Sequence, residues 1–339
     1  MDEAILGLPS KSKSAKLKAL DRLYEKLSEE TDEVNLATAK LVLDNQAAME
    51  VLLDLCQGGK HSHQAVAAAL DVLSEVCRNE HHARRVFVHH LGPVITAVTL
   101  GIQSNAEEVQ ESALVVLCEL AGSVENCTEL IDHADMVPLL LGGLKHKSLV
   151  EYALETFCNL STDKVHAKLL VDKHPTVLPT LLSKLLGLLT SQTKNKAYFE
   201  LLALSLESVS NLVGDEGGLD HVELSGLLVS KLENAKCGQD VHEEVMVLLG
   251  KLSVARDTLV VDFPQLVGLV VGNYKLGKSP QLQLAALDLL SILAANQEGK
   301  KELQAKFPDL VSLLVAQDDS DKDMHAVAQS LLQVLSIKD

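Results

Sequence analysis

A short pattern of apolar positions recurs along the chain and predicts a series of similar helices. In the stretch EYALETFCNLS, residues 151–161, Ala153, Phe157 and Leu160 follow one another at i, i+4 and i+7. That spacing places three side chains on one face of an α-helix. The same spacing starts again at Ala69, Ala113, Ser205, Val245, Ala286 and Ala328. Successive starts lie 44, 40, 52, 40, 41 and 42 residues apart. This near-constant period predicts one structural unit repeated seven times.

A second pattern, between successive phrases, predicts two shorter helices. A polar start is followed by Gly, Asp or Pro and then by a run of Leu and Val, as in residues 81–102, 126–146 and 299–317. Prolines fall near the start of the second of these helices, where the first turn tolerates them, at positions 93, 138, 264 and 308. Each repeat is therefore predicted to run as short helix, corner, helix, polar loop and long helix.

Three helices in about 42 residues are typical of an armadillo array. Residues 126–161 resemble an armadillo repeat over their whole length, and residues 296–317 with the helix after them resemble one more loosely. The resemblance covers roughly residues 36–337. It implies an all-α, right-handed solenoid of about seven three-helix repeats. The longest step contains SQTKNK, residues 191–196, where tolerated drift and a functional loop at a helix corner both remain open.

Residues 1–35 stand apart from the array as a basic segment. Its basic residues are Lys11, Lys13, Lys16, Lys18, Arg22 and Lys26. An apolar stripe at helical spacing consists of Leu17, Leu20, Leu23, Tyr24 and Leu27. We expect a helix that caps the array, because terminal repeats need a closing surface. The armadillo resemblance leaves an alternative open, in which this helix folds into the binding groove and inhibits it.

Composition and charge narrow the classes of partner. The chain has 339 residues and a net charge of −17, so a broad nucleic-acid interface, which needs clustered Lys and Arg, is not expected. No apolar run approaches 18 residues and no signal peptide is apparent, so no membrane insertion is expected. Six cysteines without a CxxC pair indicate reduced thiols in a cytoplasmic protein, with the nucleus as an open alternative. We also expect a monomer.

The sequence contains no catalytic signature, so we expect neither an enzyme nor a cofactor. Histidines flank two arginines at His81, His82, His89 and His90. A metal site there is disfavoured, because residues eight apart on a helix lie about 12 Å from each other along its axis. A solvated, mildly pH-sensitive edge is the favoured interpretation.

The armadillo resemblance also implies that the third helices line a concave face. Peptide-binding members of the importin-α type carry tryptophan two residues after the repeat alanine and asparagine six after it. Here the tryptophans are missing, and the positions −2, +2 and +6 carry nine acids and one base. The predicted partner-binding residues are Asp71, Glu75, Glu111, Glu119, Glu151, Glu155, Asn159, Glu207, Asn211, Glu243, Lys251 and Asp288. An alternative explanation is that exposed helical faces are often acidic in so acidic a chain.

These features predict a non-enzymatic scaffold or adaptor that binds a Lys/Arg-rich, extended segment of a partner protein in an acidic concave groove. The alternative is an armadillo-type regulator of a nucleotide-binding partner. Such regulators include nucleotide-exchange co-chaperones of the seventy-kilodalton heat-shock chaperones and an exchange factor for small GTPases with basic tails.

Overall fold

The computed structural model consists of helices wherever it describes the chain. The described residues are 8, 12–28, 32–59, 61–191, 195–213, 222–234, 237–255, 258–315 and 322–336. They form 20 α-helices and no strand, which confirms the predicted all-α class. The contacts divide the chain into two compact units, Met1–Val177 (unit 1) and Leu178–Asp339 (unit 2).

The described residues of unit 1 form ten helices, of which α4, α6 and α9 carry the predicted phrases. Their bounds are α1 Lys13–Ser28, α2 Asp32–Asp44, α3 Gln46–Cys56, α4 His63–Cys77, α5 Glu80–Ile102, α6 Glu107–Ala121, α7 Val124–Asp132, α8 Met136–Gly143, α9 Val150–Ser161 and α10 Lys164–Lys173. Several of these helices begin at a capping side chain, as the sequence pattern of polar starts requires. Asn79 Oδ1 accepts hydrogen bonds from the amides of His81 and His82 at the start of α5. Asp163 caps α10 in the same way.

Unit 2 begins in the first turn of α11 and carries the remaining four phrases on α12, α14, α17 and α20. The bounds are α11 Val177–Thr190, α12 Lys196–Val213, α13 Val222–Leu232, α14 Gln239–Ala255, α15 Leu259–Asp262, α16 Leu266–Leu276, α17 Pro280–Ala295, α18 Gln297–Lys306, α19 Pro308–Val315 and α20 Lys322–Ser336. Helices α11 and α12 have 14 and 18 residues, so both helices of the longest repeat are extended as predicted. Residues 192–194 of the predicted insertion lie outside the described residues.

The phrase residues form the core between helices. Every one of them is buried except Leu332 in the last described helix, α20, which is partly exposed. In two repeats of unit 1, the alanine that opens the phrase marks a close helix crossing. A Cβ atom built on Gly101 at the end of α5 would lie 2.5 Å from Cβ of Ala113 on α6, and one on Gly143 would lie 3.3 Å from Cβ of Ala153. The second and third helices of these repeats therefore approach too closely for a larger side chain at the crossing.

Helix α5 joins two predicted helices across a kink. His90 has non-helical backbone angles (φ −134°, ψ 23°), and Pro93 follows inside the helix, where its missing amide and its ring disfavour a straight helix. By length and composition α5 could cross a membrane, with a mean hydropathy of 1.3 over 18 residues. Phe87 on α5 is buried inside unit 1, and Arg85 forms an ion pair of 2.8 Å with Asp44. Packing within the repeat thus explains why part of this helix is apolar.

Helix α1 packs against α4, the first of the phrase helices. Leu20, Leu23 and Leu27 of the predicted apolar stripe are buried. This contact is the one that a capping helix would make, although the capping role stays a prediction. The boundary predicted between residues 35 and 36 falls inside α2, whereas the contacts divide the chain after Val177.

Candidate partner-binding faces

The predicted groove residues occupy equivalent stripes on successive third helices. Positions −2, +2 and +6 of a phrase are four residues apart, so they lie one above another on one helix face. On α9 this stripe is formed by Glu151, Glu155 and Asn159, of which the two glutamates are exposed. On α4 and α6 the acids of the stripe are half-buried as residues, and the side chain of Glu75 is almost fully buried. The acids in unit 1, called here the acidic face, are Asp71, Glu75, Glu111, Glu119, Glu151 and Glu155.

Carboxylates of the acidic face from three different helices act electrostatically on the hydroxyl group of Tyr152. Burial raises the pKa of the Tyr152 hydroxyl, and nearby negative charges raise it further. These charges come from α9, α6 and α4 and belong to Glu151, Glu111, Glu155 and Asp71. A phenolate would be a further negative charge among them, which is why the neutral form is favoured.

The carboxylates of the acidic face also act on one another. Burial raises the pKa of Glu119, the Arg78 guanidinium lowers it, and the charges of Glu155 and Glu75 raise it. Arg78 Nη2 lies 2.6 Å from Glu75 Oε1, so this arginine supplies a positive charge at one end of the face. Arg78 is not among the residues predicted from the sequence, because it lies outside the −2, +2 and +6 positions of the phrase. Its position three residues after Glu75 is the signal that could have found it.

Two predicted groove residues join neighbouring repeats through the backbone. Asn159 Nδ2 donates a hydrogen bond of 3.2 Å to the carbonyl of Cys118. Lys251 Nζ donates one of 2.7 Å to the carbonyl of Ser210. In both pairs the acceptor lies five residues after the start of the preceding phrase. The +6 side chain thus ties its helix to the previous third helix, a structural role that the groove assignment had not included.

Unit 2 has its own cluster of carboxylates on α12 and α14. Burial raises the pKa of Glu243, and the charges of Asp240 and Glu207 raise it further. Burial, together with Glu207 and Glu243, raises the pKa of the neighbouring Glu244 to about 7, against the lowering effect of Lys251.

The other predicted residues of unit 2 stand apart from this cluster. Asn211 is half-buried on α12. Asp288 lies at the surface of α17, where partial desolvation by its neighbours raises the pKa of its carboxyl group.

A fourth row of positions, one residue before each phrase, escaped the sequence reasoning. Ser112, Tyr152 and Glu244 occupy it, and each interacts with the stripe of the preceding repeat. The hydrogen bond of Ser112 lowers the pKa of Asp71, whereas the burial of Asp71 raises it more strongly. The −1 residue lies about 100° around the helix from the buried residue that opens the phrase. In these three repeats that direction brings it towards the preceding repeat. That periodicity could have identified these residues.

Other candidate chemistry is sparse in the described part of the chain. Among the described residues, no group of three or more His, Cys, Asp or Glu side chains is arranged to hold a metal ion. His81, His82, His89 and His90 all lie on α5. All six cysteines are buried thiols. Burial raises the pKa of the Cys127 thiol to about 12, so it stays protonated and unreactive at neutral pH.

Comparison with known proteins identifies the fold. No protein-family model and no curated protein matches the chain. An engineered protein superposes with a TM-score of 0.75 at 18% identity, over 99% of this chain and 79% of its own. A designed armadillo repeat protein has a TM-score of 0.56 at 16% identity and covers 74% of this chain and 98% of its own. Another designed armadillo repeat protein, solved in complex with the peptide (KR)4, has a TM-score of 0.56 at 15% identity with the same coverage. The predicted armadillo-repeat fold is therefore confirmed.

Proposed function

We propose that this chain is a non-enzymatic protein-interaction scaffold or adaptor, and that the acidic face of unit 1 binds a Lys/Arg-rich, extended segment of a partner protein. The observation that carries this proposal is the electrostatic coupling of carboxylates from α4, α6 and α9, three successive third helices. Negative charges that raise one another's pKa repel each other, so a cation placed among them lowers the free energy of the face. A row spanning three helices suits a segment with several cations better than a single charged group.

The fold supports a binding role over catalysis, since solenoids expose long surfaces suited to a chain-like ligand. A designed armadillo repeat protein with a similar fold was solved in complex with the peptide (KR)4, which supports a Lys/Arg-rich ligand in this proposal. We place the protein in the cytoplasm as a monomer, with the buried thiols as support for a reducing compartment. The alternative interpretation, a regulator of a nucleotide-binding partner, is favoured by none of the contacts described above.

The proposal is tested by measuring the affinity of the full chain for a labelled (KR)4 peptide by fluorescence anisotropy. The test variant reverses three charges on the acidic face, Glu111→Lys, Glu151→Lys and Glu155→Lys. Its matched control reverses three exposed acids on or next to other helices of unit 1, Glu129→Lys, Asp135→Lys and Asp172→Lys. Both variants change the net charge equally, so they separate a local site from bulk attraction.

We expect the face variant to weaken binding at least about tenfold and the control to weaken it by about twofold or less, because charges beyond a Debye length of about 8–10 Å are screened. Raising the salt concentration should weaken binding of the unaltered chain. Equal losses in both variants would show that only net charge attracts the peptide, and that result would refute the assignment of the acidic face.

A further inference from the structure

A partly open cavity lies at the α4 end of the acidic face. Its volume is about 280 Å3, several times the roughly 30 Å3 that one water molecule occupies in the liquid. It is bounded by the end of α1, by α2, and by the turn that connects α4 to α5. The described residues that line it are Leu27, Asn35, Leu36, Ala39, Glu75, Arg78, Asn79 and His82. The space is therefore large enough for a side chain.

Two polar atoms of this cavity have unsatisfied hydrogen-bonding capacity. The Glu75 side chain is only 6% exposed, and its Oε2 atom is buried with no hydrogen-bond partner among the described residues. The other oxygen, Oε1, is occupied by Arg78. His82 Nδ1 is likewise buried, and within the described part of the chain nothing hydrogen-bonds to it. A buried acceptor left unmatched is costly, so both atoms favour a ligand that brings donors.

His82 suits the role of acceptor. Burial lowers the pKa of its ring, and the Arg85 guanidinium lowers it further. The ring is therefore neutral at neutral pH, and Nδ1 accepts a hydrogen bond when the proton resides on Nε2.

The remaining walls of the cavity favour a flexible apolar stem. Leu27 and Ala39 are buried, and Leu36 is 43% exposed at the surface. A lysine side chain combines four methylene groups with three N–H donors on one charged nitrogen. Arginine fits less well, because its planar fork binds best to both oxygens of a carboxylate, and Arg78 already occupies one of them.

We infer that this cavity is an anchor pocket for one lysine side chain of the basic partner segment. Its ammonium group donates hydrogen bonds to Glu75 Oε2 and His82 Nδ1, while its methylene groups lie against Leu27 and Leu36. The inference rests on the proposed function, since Glu75 belongs to both the pocket and the acidic face. It adds a preference for lysine over arginine that a purely electrostatic face would not have.

The first experiment compares two peptides of equal charge, (KR)4 and octa-arginine, by anisotropy. Glu75→Gln removes the negative charge of the carboxylate that faces the ammonium group, and Leu36→Trp fills the pocket from its exposed side. Leu41→Trp is the matched control, because Leu41 is an equally exposed leucine (48%) on α2 that does not line the cavity. We expect Glu75→Gln and Leu36→Trp to weaken (KR)4 about tenfold, the effect of losing a charge-assisted hydrogen bond, and to change octa-arginine far less. Leu41→Trp should change neither affinity.

The second experiment tests the pocket without a peptide. The probe is n-butylamine, which reproduces the end of a lysine side chain, with butan-1-ol as its uncharged control. Resonances of histidine rings are followed by NMR in the full chain, and that of His82 is assigned with a His82→Asn variant. We expect butylammonium, and not butanol, to shift the His82 resonance, and Leu36→Trp to abolish that shift.

The two experiments fail in distinguishable ways. If (KR)4 binds but Glu75→Gln weakens both peptides equally and butylammonium leaves His82 unshifted, the lysine pocket is wrong and the proposed function stands. If butylammonium shifts His82 but neither peptide binds, the pocket recognises an alkylammonium group and the proposed peptide-binding function is wrong.

Discussion

Replacing Glu244 by Gln should stabilise this protein at neutral and alkaline pH. Glu244 lies half-buried on α14, where burial and the carboxylates of Glu207 and Glu243 raise its pKa from an ordinary value of 4.5 to about 7. Each tenfold change in a proton-binding constant corresponds to about 1.4 kcal/mol, so this difference corresponds to roughly 3 kcal/mol of unfolding free energy. Gln has nearly the same shape and no charge to desolvate.

The sign of the pH dependence follows from proton binding in the two states. Below about pH 4.5 the carboxyl group is protonated both folded and unfolded, so it does not affect stability. As the pH rises from about 4.5 to about 7, the folded state keeps the proton while the unfolded state loses it. The unfolding free energy therefore falls across this window and stays low above it. Glu244→Gln should remove that fall.

Urea unfolding followed by circular dichroism at 222 nm, at pH 5 and at pH 8, measures the effect; the chain has no tryptophan for a fluorescence assay. Hydrogen exchange of α14 amides locates it. The matched control is Glu233→Gln, which removes the same charge from an exposed position of unit 2. We expect Glu244→Gln to exceed the control by about 2–3 kcal/mol at pH 8 and by less than about 1 kcal/mol at pH 5. An equal gain at both pH values, or a gain no larger than that of Glu233→Gln, would refute the account of Glu244 as a desolvated carboxyl group.

Three further predictions concern packing and helix stability. Gly101→Ala should destabilise the chain by about 1–3 kcal/mol, because the new Cβ would lie 2.5 Å from that of Ala113. Gly142→Ala should stabilise it by about 0.5–1 kcal/mol, because nothing lies within 4 Å of a Cβ there and Ala favours the helix. Urea midpoints of the two variants should therefore move in opposite directions, and shifts of the same sign would contradict the close crossing. Deleting residues 1–30 should lower the melting temperature by several degrees, because it uncovers the part of α4 that packs against α1. The deletion should leave the affinity for (KR)4 no higher, and a higher affinity would instead support an inhibitory arm.

Much of the fold could be predicted from the sequence because the repeat is local. The phrase represented by Ala153, Phe157 and Leu160 indicates which face of a helix is apolar, and the number of times it recurs predicts the number of such helices. Each repeat packs mainly on its neighbours, so the fold does not depend on pairing between segments that are distant in the sequence. The kink at His90 also followed a visible signal, since Pro93 marks the start of a second helix.

The candidate site was only partly visible in the sequence. The stripe that carries Glu151 and Glu155 was predictable, because residues four apart in one helix lie on the same face. The −1 row with Tyr152 and Glu244 was missed, because its importance comes from a neighbouring helix about 40 residues away. The cavity beside Glu75 could not be inferred at all, since four helices contribute to its walls.

The sequence by itself determined the helices, their apolar faces, the repeat period and an excess of acids on the third helices. These properties depend on residues within one or two helical turns of each other. Only the tertiary structure decided how far each acid is desolvated, which raised the pKa of Glu244 and left Glu155 exposed. It also directed the nitrogens of Asn159 and Lys251 to backbone carbonyls of the preceding repeat. Burial and hydrogen-bond partners depend on groups from separate helices, and their distances exist only after the repeats have packed together.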